Sequence, residues 1–249
     1  MATHTKETYS PSQRRRQERK RQADAQRRKR LLWQLGLVGA AAILVVGAFI
    51  AYSQLSGTGG THPPVDYASI PSDGMTLGAA DAPVTLVEYG DYRCIHCADL
   101  TVEDAPQMIQ DFITNGTLRY EFRPMPILGG VAVDDPANPS VLAAESAMCA
   151  ADQGGFWPYH DRLMTVTHQR KALEDDAYRA AASDAGLDPE ALMTCVNAGT
   201  HRQAVIDSYT QATAQGITST PTLYLQGAQI TWTGNYNILK KQIDAASDR

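Results

Sequence analysis

Cysteine is scarce in this chain, four in 249 residues, and a single Cys-x-x-Cys occurs, at Cys94–Cys97. No second such pair accompanies it and the six histidines are scattered. The four ligands of a zinc or copper site therefore do not gather along the sequence. No internal repeat is present, so one domain of ordinary size is the starting expectation. The basic run Arg14–Arg30 holds no aromatic residue, which leaves it without the interleaved stacking groups of a nucleic-acid site. Between Leu31 and Tyr52 there is no charged residue, and no cysteine directly follows that run, which excludes a lipoprotein anchor.

What is present is distributed unevenly. Residues 1–30 hold 11 lysines and arginines against 3 acids, whereas the rest holds 11 against 24, a net of +8 beside −13. The uncharged run "LLWQLGLVGAAAILVVGAFIAY" (Leu31–Tyr52) is long enough, at ~1.5 Å per residue, to span the ~30 Å hydrocarbon layer of a bilayer as a helix. Positive charge directly before it keeps the N-terminus in the cytoplasm and sends the acidic body across the membrane. A cleaved signal peptide is the alternative, with Ala51-Tyr52-Ser53 as the cleavage site. The boundaries predicted are a basic cytoplasmic tail over 1–30, a transmembrane helix over 31–52, a Gly/Ser/Thr/Pro-rich flexible linker over 53–74, and a folded domain over 75–249.

Within that domain the apolar run of Val84, Leu86, Val87 and Tyr89, bounded by Pro83 and Gly90, predicts a mostly buried strand. Cys97–Gly116 has apolar residues at helical spacing and ends in Asn-Gly, a helix stop. Thr117–Leu128 alternates as a strand until its prolines. An Ala-rich helical block runs from Ser140 to Gln215, broken at Gly154-Gly155 and Gly186. Strand-like residues return over Thr220–Trp232, and Tyr236–Ala246 reads as a helix with Ile238, Leu239 and Ile243 inward. The coarse order is β α β, a helical block, β β α.

The Cys94–Cys97 pair thus sits where a strand hands over to a helix. Bridging residues three apart removes little entropy from the unfolded chain, so this bond staples nothing. A Cys149–Cys195 bond would close a loop worth about 4 kcal/mol in the same treatment. At a helix start, free N–H groups and the dipole stabilise an anion, which makes Cys94 the reactive thiolate. His96 can add to that stabilisation. Cys97, one turn on, points inward and attacks a mixed disulfide only after losing its proton. Glu88, in an otherwise apolar strand, is the candidate acceptor, because burial raises a carboxyl pKa; a surface ion pair is its plain alternative. Phe156, Trp157, Tyr159 and His160 read as core, and Glu174-Asp175-Asp176 as a solvated helix start.

Three stretches, "MTLGAADAPVTLVEYGDYRCIHC" (Met75–Cys97), "GGFWPYHDRLM" (Gly154–Met164) and "GITSTPTLYLQG" (Gly216–Gly227), together resemble the DsbA-like thiol-disulfide oxidoreductases in their membrane-anchored bacterial form. The resemblance covers about residues 75–246. It implies an α/β thioredoxin fold with a helical domain, about 138–215, inserted between the two halves of the core. It assigns Cys94 and Cys97 as the redox pair, Ile95 and His96 as the dipeptide that tunes it, and Glu88 as the buried acid. Thr220 and Pro221 become the substrate-binding cis-proline loop. Ile95 stands where the best-known oxidases have proline, so the potential does not transfer. Cys149–Cys195 is an extra pair, structural or a second relay.

The activity implied is a protein disulfide oxidoreductase, foremost a dithiol oxidase that acts on reduced exported proteins without metal or cofactor. Reoxidation would come from an integral-membrane quinone-linked partner, DsbB-like or VKOR-like. A reductase or isomerase of the same fold, and a non-catalytic anchored binding module or metallochaperone, are the rival readings.

Overall fold

The structure, a computed structural model, describes residues 65–248. The basic tail, the transmembrane helix expected over Leu31–Tyr52 and most of the expected linker lie outside the described residues. No helix among the described residues is long and apolar enough to cross a membrane.

A six-stranded sheet in the order β1-β2-β4-β3-β5-β6 forms the centre. Its middle is β3 (Val84–Gly90), parallel to β4 (Leu118–Pro124) and antiparallel to β5 (Thr222–Leu225). Short strands β1 (Ser72–Asp73) and β2 (Thr76–Leu77) extend one edge, and β6 (Ala228–Ile230) closes the other. Alternation along β4 is strict, with Leu118, Tyr120, Phe122 and Pro124 buried, the period-2 pattern of a strand packed on one face.

Between β3 and β4 runs a helix that starts as α1 (Ile95–Asp99) and α2 (Ala105–Met108), each followed by a π-helical turn, Leu100–Asp104 and Ile109–Ile113. Pro106 has no N–H for the preceding turn, and the first wide turn ends beside it. The helix stops at Gly116, whose φ of +78° suits glycine.

Five helices then stand between β4 and β5: α3 (Pro139–Asp152), α4 (Phe156–His168), α5 (Asp175–Asp184), α6 (Pro189–Asn197) and α7 (Arg202–Ala214). Asn138 and Asp188 cap α3 and α6, each followed by proline at the first helical position. A Cys149–Cys195 disulfide ties α3 to α6. This is the mixed α/β core with a helical insertion that the sequence predicts.

Two details depart from the sequence reading. Tyr67–Ser69 form a 3-10 turn and Ser72–Asp73 a strand, so the folded body begins inside the stretch whose composition marks it as linker. Ile70 buries its side chain, and Tyr67 donates its hydroxyl to Asp161 of α4 at 2.5 Å; single apolar and aromatic anchors outweigh a polar average. In the last helix, α8 (Tyr236–Ser247), Leu239 and Ile243 are buried but Ile238 is 42% exposed, because three and four residues apart share a face and adjacent ones do not.

Candidate active site

Cys94 occupies the N-cap of α1 with extended backbone (φ −82°, ψ 118°). Its backbone N–H donates to Asp91 O, and its carbonyl accepts from Ala98 N. Asp91, itself buried, fixes the approach: Oδ1 accepts from Arg93 N, and Oδ2 from Ile127 N and Leu128 N, all at 2.8 Å. One carboxylate thereby joins the cysteine loop to the loop after β4. The helical insertion holds the same loop from its side, since Thr167 Oγ1 of α4 donates to Tyr92 O at 2.6 Å.

Cys94 and Cys97 are both free thiols and both buried. Sγ of Cys94 lies 3.3 Å from Thr220 O, across a Thr220–Pro221 bond that is cis. The two sulfurs titrate in opposite directions. The Cys97 side chain, then the Thr220 side chain and the N–H groups of Cys97 and His96, favour the Cys94 thiolate and hold its pKa down to about 6 against opposing burial. Burial, then the Cys94 sulfur and the Glu88 carboxylate, raise that of Cys97 well above the ordinary thiol value.

Glu88 is 0% exposed. Burial pushes its pKa up to about 7, although the Tyr120 hydroxyl, which donates to Oε2, favours the ionised form. Oε1 has no hydrogen-bond partner. Gly90, two residues on, leaves the room: a Cβ there would stand 2.5 Å from the Phe122 ring and 2.9 Å from Oε1.

The intervening dipeptide faces two ways. Ile95 lines a cleft of about 400 Å³ with Arg93, Arg170 and Lys171. His96, exposed, lines another of about 420 Å³ with Asp99, Glu103, Pro221 and Trp232. Asp104 accepts from Trp232 Nε1 at 2.7 Å and fixes that wall. His96 Nδ1 is 3.6 Å from Asp99, and His168 pairs with both Asp99 and Glu103. Asp99, Glu103 and His168 bring ligand-type atoms within 4.8 Å of one another and could hold a metal ion. His201 approaches the sulfurs of Cys149 and Cys195, which are committed to their disulfide.

The structure therefore brings Cys94, Cys97, Glu88, Thr220 and Pro221 together, with Ile95 and His96 on the rim, and places Cys149–Cys195 in the insertion. Sequence reasoning missed Asp91 and Tyr120. Asp91 has a local signal, a carboxylate three residues before a helix-starting cysteine; Tyr120 has none, because it meets Glu88 only through strand pairing. His160 is core: it is buried, its Nδ1 meets Tyr92 Oη at 2.9 Å, and burial lowers its pKa to about 3.

A family model described as Thioredoxin matches residues 71–245. Disulfide bond formation protein D of Bacillus subtilis is 28% identical over 171 residues, covering 68% of this chain and 74% of that protein. A protein of Herminiimonas arsenicoxydans named Na(+)/H(+) antiporter NhaA is 32% identical over 171 residues, 68% of this chain but 24% of that one. The chain thus spans about a quarter of the antiporter relatives' length. Among solved structures, oxidised BdbD of Bacillus subtilis superposes with a TM-score of 0.63 at 24% identity, covering 72% of this chain and 97% of that one. Oxidised Mtb DsbA superposes at 0.57 with 18% identity, over 71% and 94%.

Proposed function

The chain belongs to the thioredoxin family, and from that premise we propose that it is an extracytoplasmic thiol-disulfide oxidoreductase that introduces disulfides into exported proteins through Cys94 and Cys97. The observation that carries this reading is the asymmetry of the pair: a thiolate-prone Cys94 at a helix N-cap, 3.3 Å from Thr220 O, and a buried Cys97 beside a buried carboxyl. The better leaving group is the outer sulfur.

In the oxidising direction a substrate thiolate attacks Sγ of Cys94, the Cys94–Cys97 bond breaks, and Cys97 takes a proton that Glu88 supplies. A second substrate thiol, having released its proton to solvent, then attacks as a thiolate the substrate sulfur of the mixed disulfide. Cys94 leaves as a thiolate, and two electrons have passed from substrate to the cysteine pair. Thr220 and Pro221 offer an extended substrate segment the backbone beside the reacting sulfur. The relative named for disulfide bond formation supports this direction.

Reoxidation requires an oxidant outside the chain, an integral-membrane quinone-linked partner of DsbB-like or VKOR-like type. Leu31–Tyr52 as a transmembrane anchor would keep the two close. Alkaline extraction of membranes should leave the full chain with the membrane and release one lacking residues 1–52.

Two measurements test the proposal. A Cys97→Ala variant should accumulate Cys94 adducts with reduced exported proteins. The reduction potential should lie toward about −120 mV, whereas about −270 mV marks a reductase and overturns the direction proposed.

A further inference from the structure

Tyr120 lies outside every motif of the site, yet its hydroxyl donates to Oε2 of Glu88 in the core. The contact is diagonal across the β3–β4 ladder. Leu86 pairs with Tyr120 and Glu88 with Phe122, so Glu88 and Tyr120 emerge two residues apart on one face. Exposure is 0% for Glu88 and 2% for Tyr120, so water does not substitute for the phenol. Nor does Tyr92, the next tyrosine in the core, whose hydroxyl meets His160 Nδ1 at 2.9 Å. Oε2 is thus bound by the phenol, Oε1 meets no group in ordinary hydrogen-bond geometry, and the Cys97 thiol is the other donor that favours the charged form.

We infer that Tyr120 is a positioning residue for the Cys97 proton: by binding Oε2 it turns Glu88 into a one-sided base whose Oε1 takes that proton. The inference rests on the proposed redox role of the pair. In the step concerned, Cys97 S–H gives its proton to Oε1 and Cys97 Sγ attacks Sγ of Cys94 in a mixed disulfide. The Cys94–Cys97 bond forms, the bond to the departing thiol breaks, and that thiol leaves as a thiolate. No further oxidant or reductant enters. Without the phenol, the carboxylate in this apolar place loses the larger of its two hydrogen-bond donors, the Cys97 thiol being the other, and stays protonated to higher pH, since a hydrogen bond to the charged form favours that form.

Stopped-flow mixing of reduced protein with excess Ellman's reagent resolves the step. The first aryl thiolate released reports Cys94 attack and the second reports Cys97 attack on the Cys94 adduct. Across a pH series, Tyr120→Phe should move the midpoint of the second phase up by about one unit. That makes the phase about tenfold slower below the midpoint, and the two proteins should converge above it. On a Glu88→Gln background the same substitution should move nothing. A measurement that leaves the packing intact is biosynthetic ring-fluorinated tyrosine, a stronger donor, which should lower the midpoint in the Glu88 protein alone. Superimposed profiles, or a uniform slowing at all pH without a shift, would overturn the role of Tyr120 while leaving the redox pair standing. A second phase that is absent in the wild-type protein would overturn the redox reading and this inference together.

Discussion

The sulfur of Cys94 and the carbonyl oxygen of Thr220 lie 3.3 Å apart across 126 positions of sequence. The carbonyl accepts from the neutral thiol, while the Cys97 and Thr220 side chains and two backbone N–H groups favour the thiolate. The ultraviolet absorbance of the thiolate should titrate near pH 6. Cys97→Ala should move that midpoint up, and Thr220→Val should move it up by less. The folded value lies below the ordinary 9.0, so ionisation stabilises the reduced fold. That contribution is complete above the unfolded pKa and is lost as pH falls through the folded one. The stability advantage of the reduced over the oxidised protein should shrink as pH is lowered from about 9 to about 6 and level off below that, in paired denaturation curves.

How much of this was legible in the sequence follows from what each feature depends on. The strand before Cys94, the helix after it and the helical block are written in local periodicity, so the sequence places Cys94 at a helix start without help. Glu88 is visible as a carboxylate among Val84, Leu86 and Tyr89. Its partner is not, because the Glu88–Tyr120 contact depends on the parallel register that sets Leu86 against Tyr120, and register is a non-local property. The same holds for Asp91, whose donors, the N–H groups of Ile127 and Leu128, arrive through the end of β4. Tyr67 was hidden by composition: one hydroxyl to Asp161 anchors a segment that otherwise reads as a tether.

The Cys149–Cys195 bond joins α3 to α6 across a sequence separation of 46, and nothing places it beside Cys94. Replacing both cysteines by alanine should lower stability in urea titration by about 4 kcal/mol, the loop-closure value. Turnover by the Cys94–Cys97 pair should persist at temperatures where the variant remains folded. Lost turnover with unchanged stability would instead make the pair a second relay.

Gly90 is set by what surrounds its Cα. A methyl group there would meet the Phe122 ring at 2.5 Å and Glu88 Oε1 at 2.9 Å, and both neighbours are enclosed. Gly90→Ala should cost about 1–3 kcal/mol, the range for overpacking a core. Because the displaced atom is the unpartnered oxygen of Glu88, the Cys97 phase with Ellman's reagent should slow as well. Phe122→Leu in the same chain, by removing the closer obstacle, should recover part of the stability and less of the rate.

Glu88 also makes the fold sensitive to pH in a direction opposite to that of a salt-bridged acid. Its folded pKa, about 7, lies above the ordinary 4.5 because burial penalises the charge. Between those values the native chain binds more protons than the unfolded one, so stability falls as pH rises through this window and levels off above about 7. At 1.36 kcal/mol per unit the loss attributable to this carboxyl is about 3 kcal/mol. Glu88→Gln carries no such charge and keeps an oxygen for the Tyr120 hydroxyl. Its denaturation curve should match that of the wild type below about 4.5 and show a stability higher by up to that amount above about 7. A wild type whose stability does not decline through the window, relative to the variant, would mean that Glu88 is ionised at ordinary cost and cannot be the base that takes the Cys97 proton.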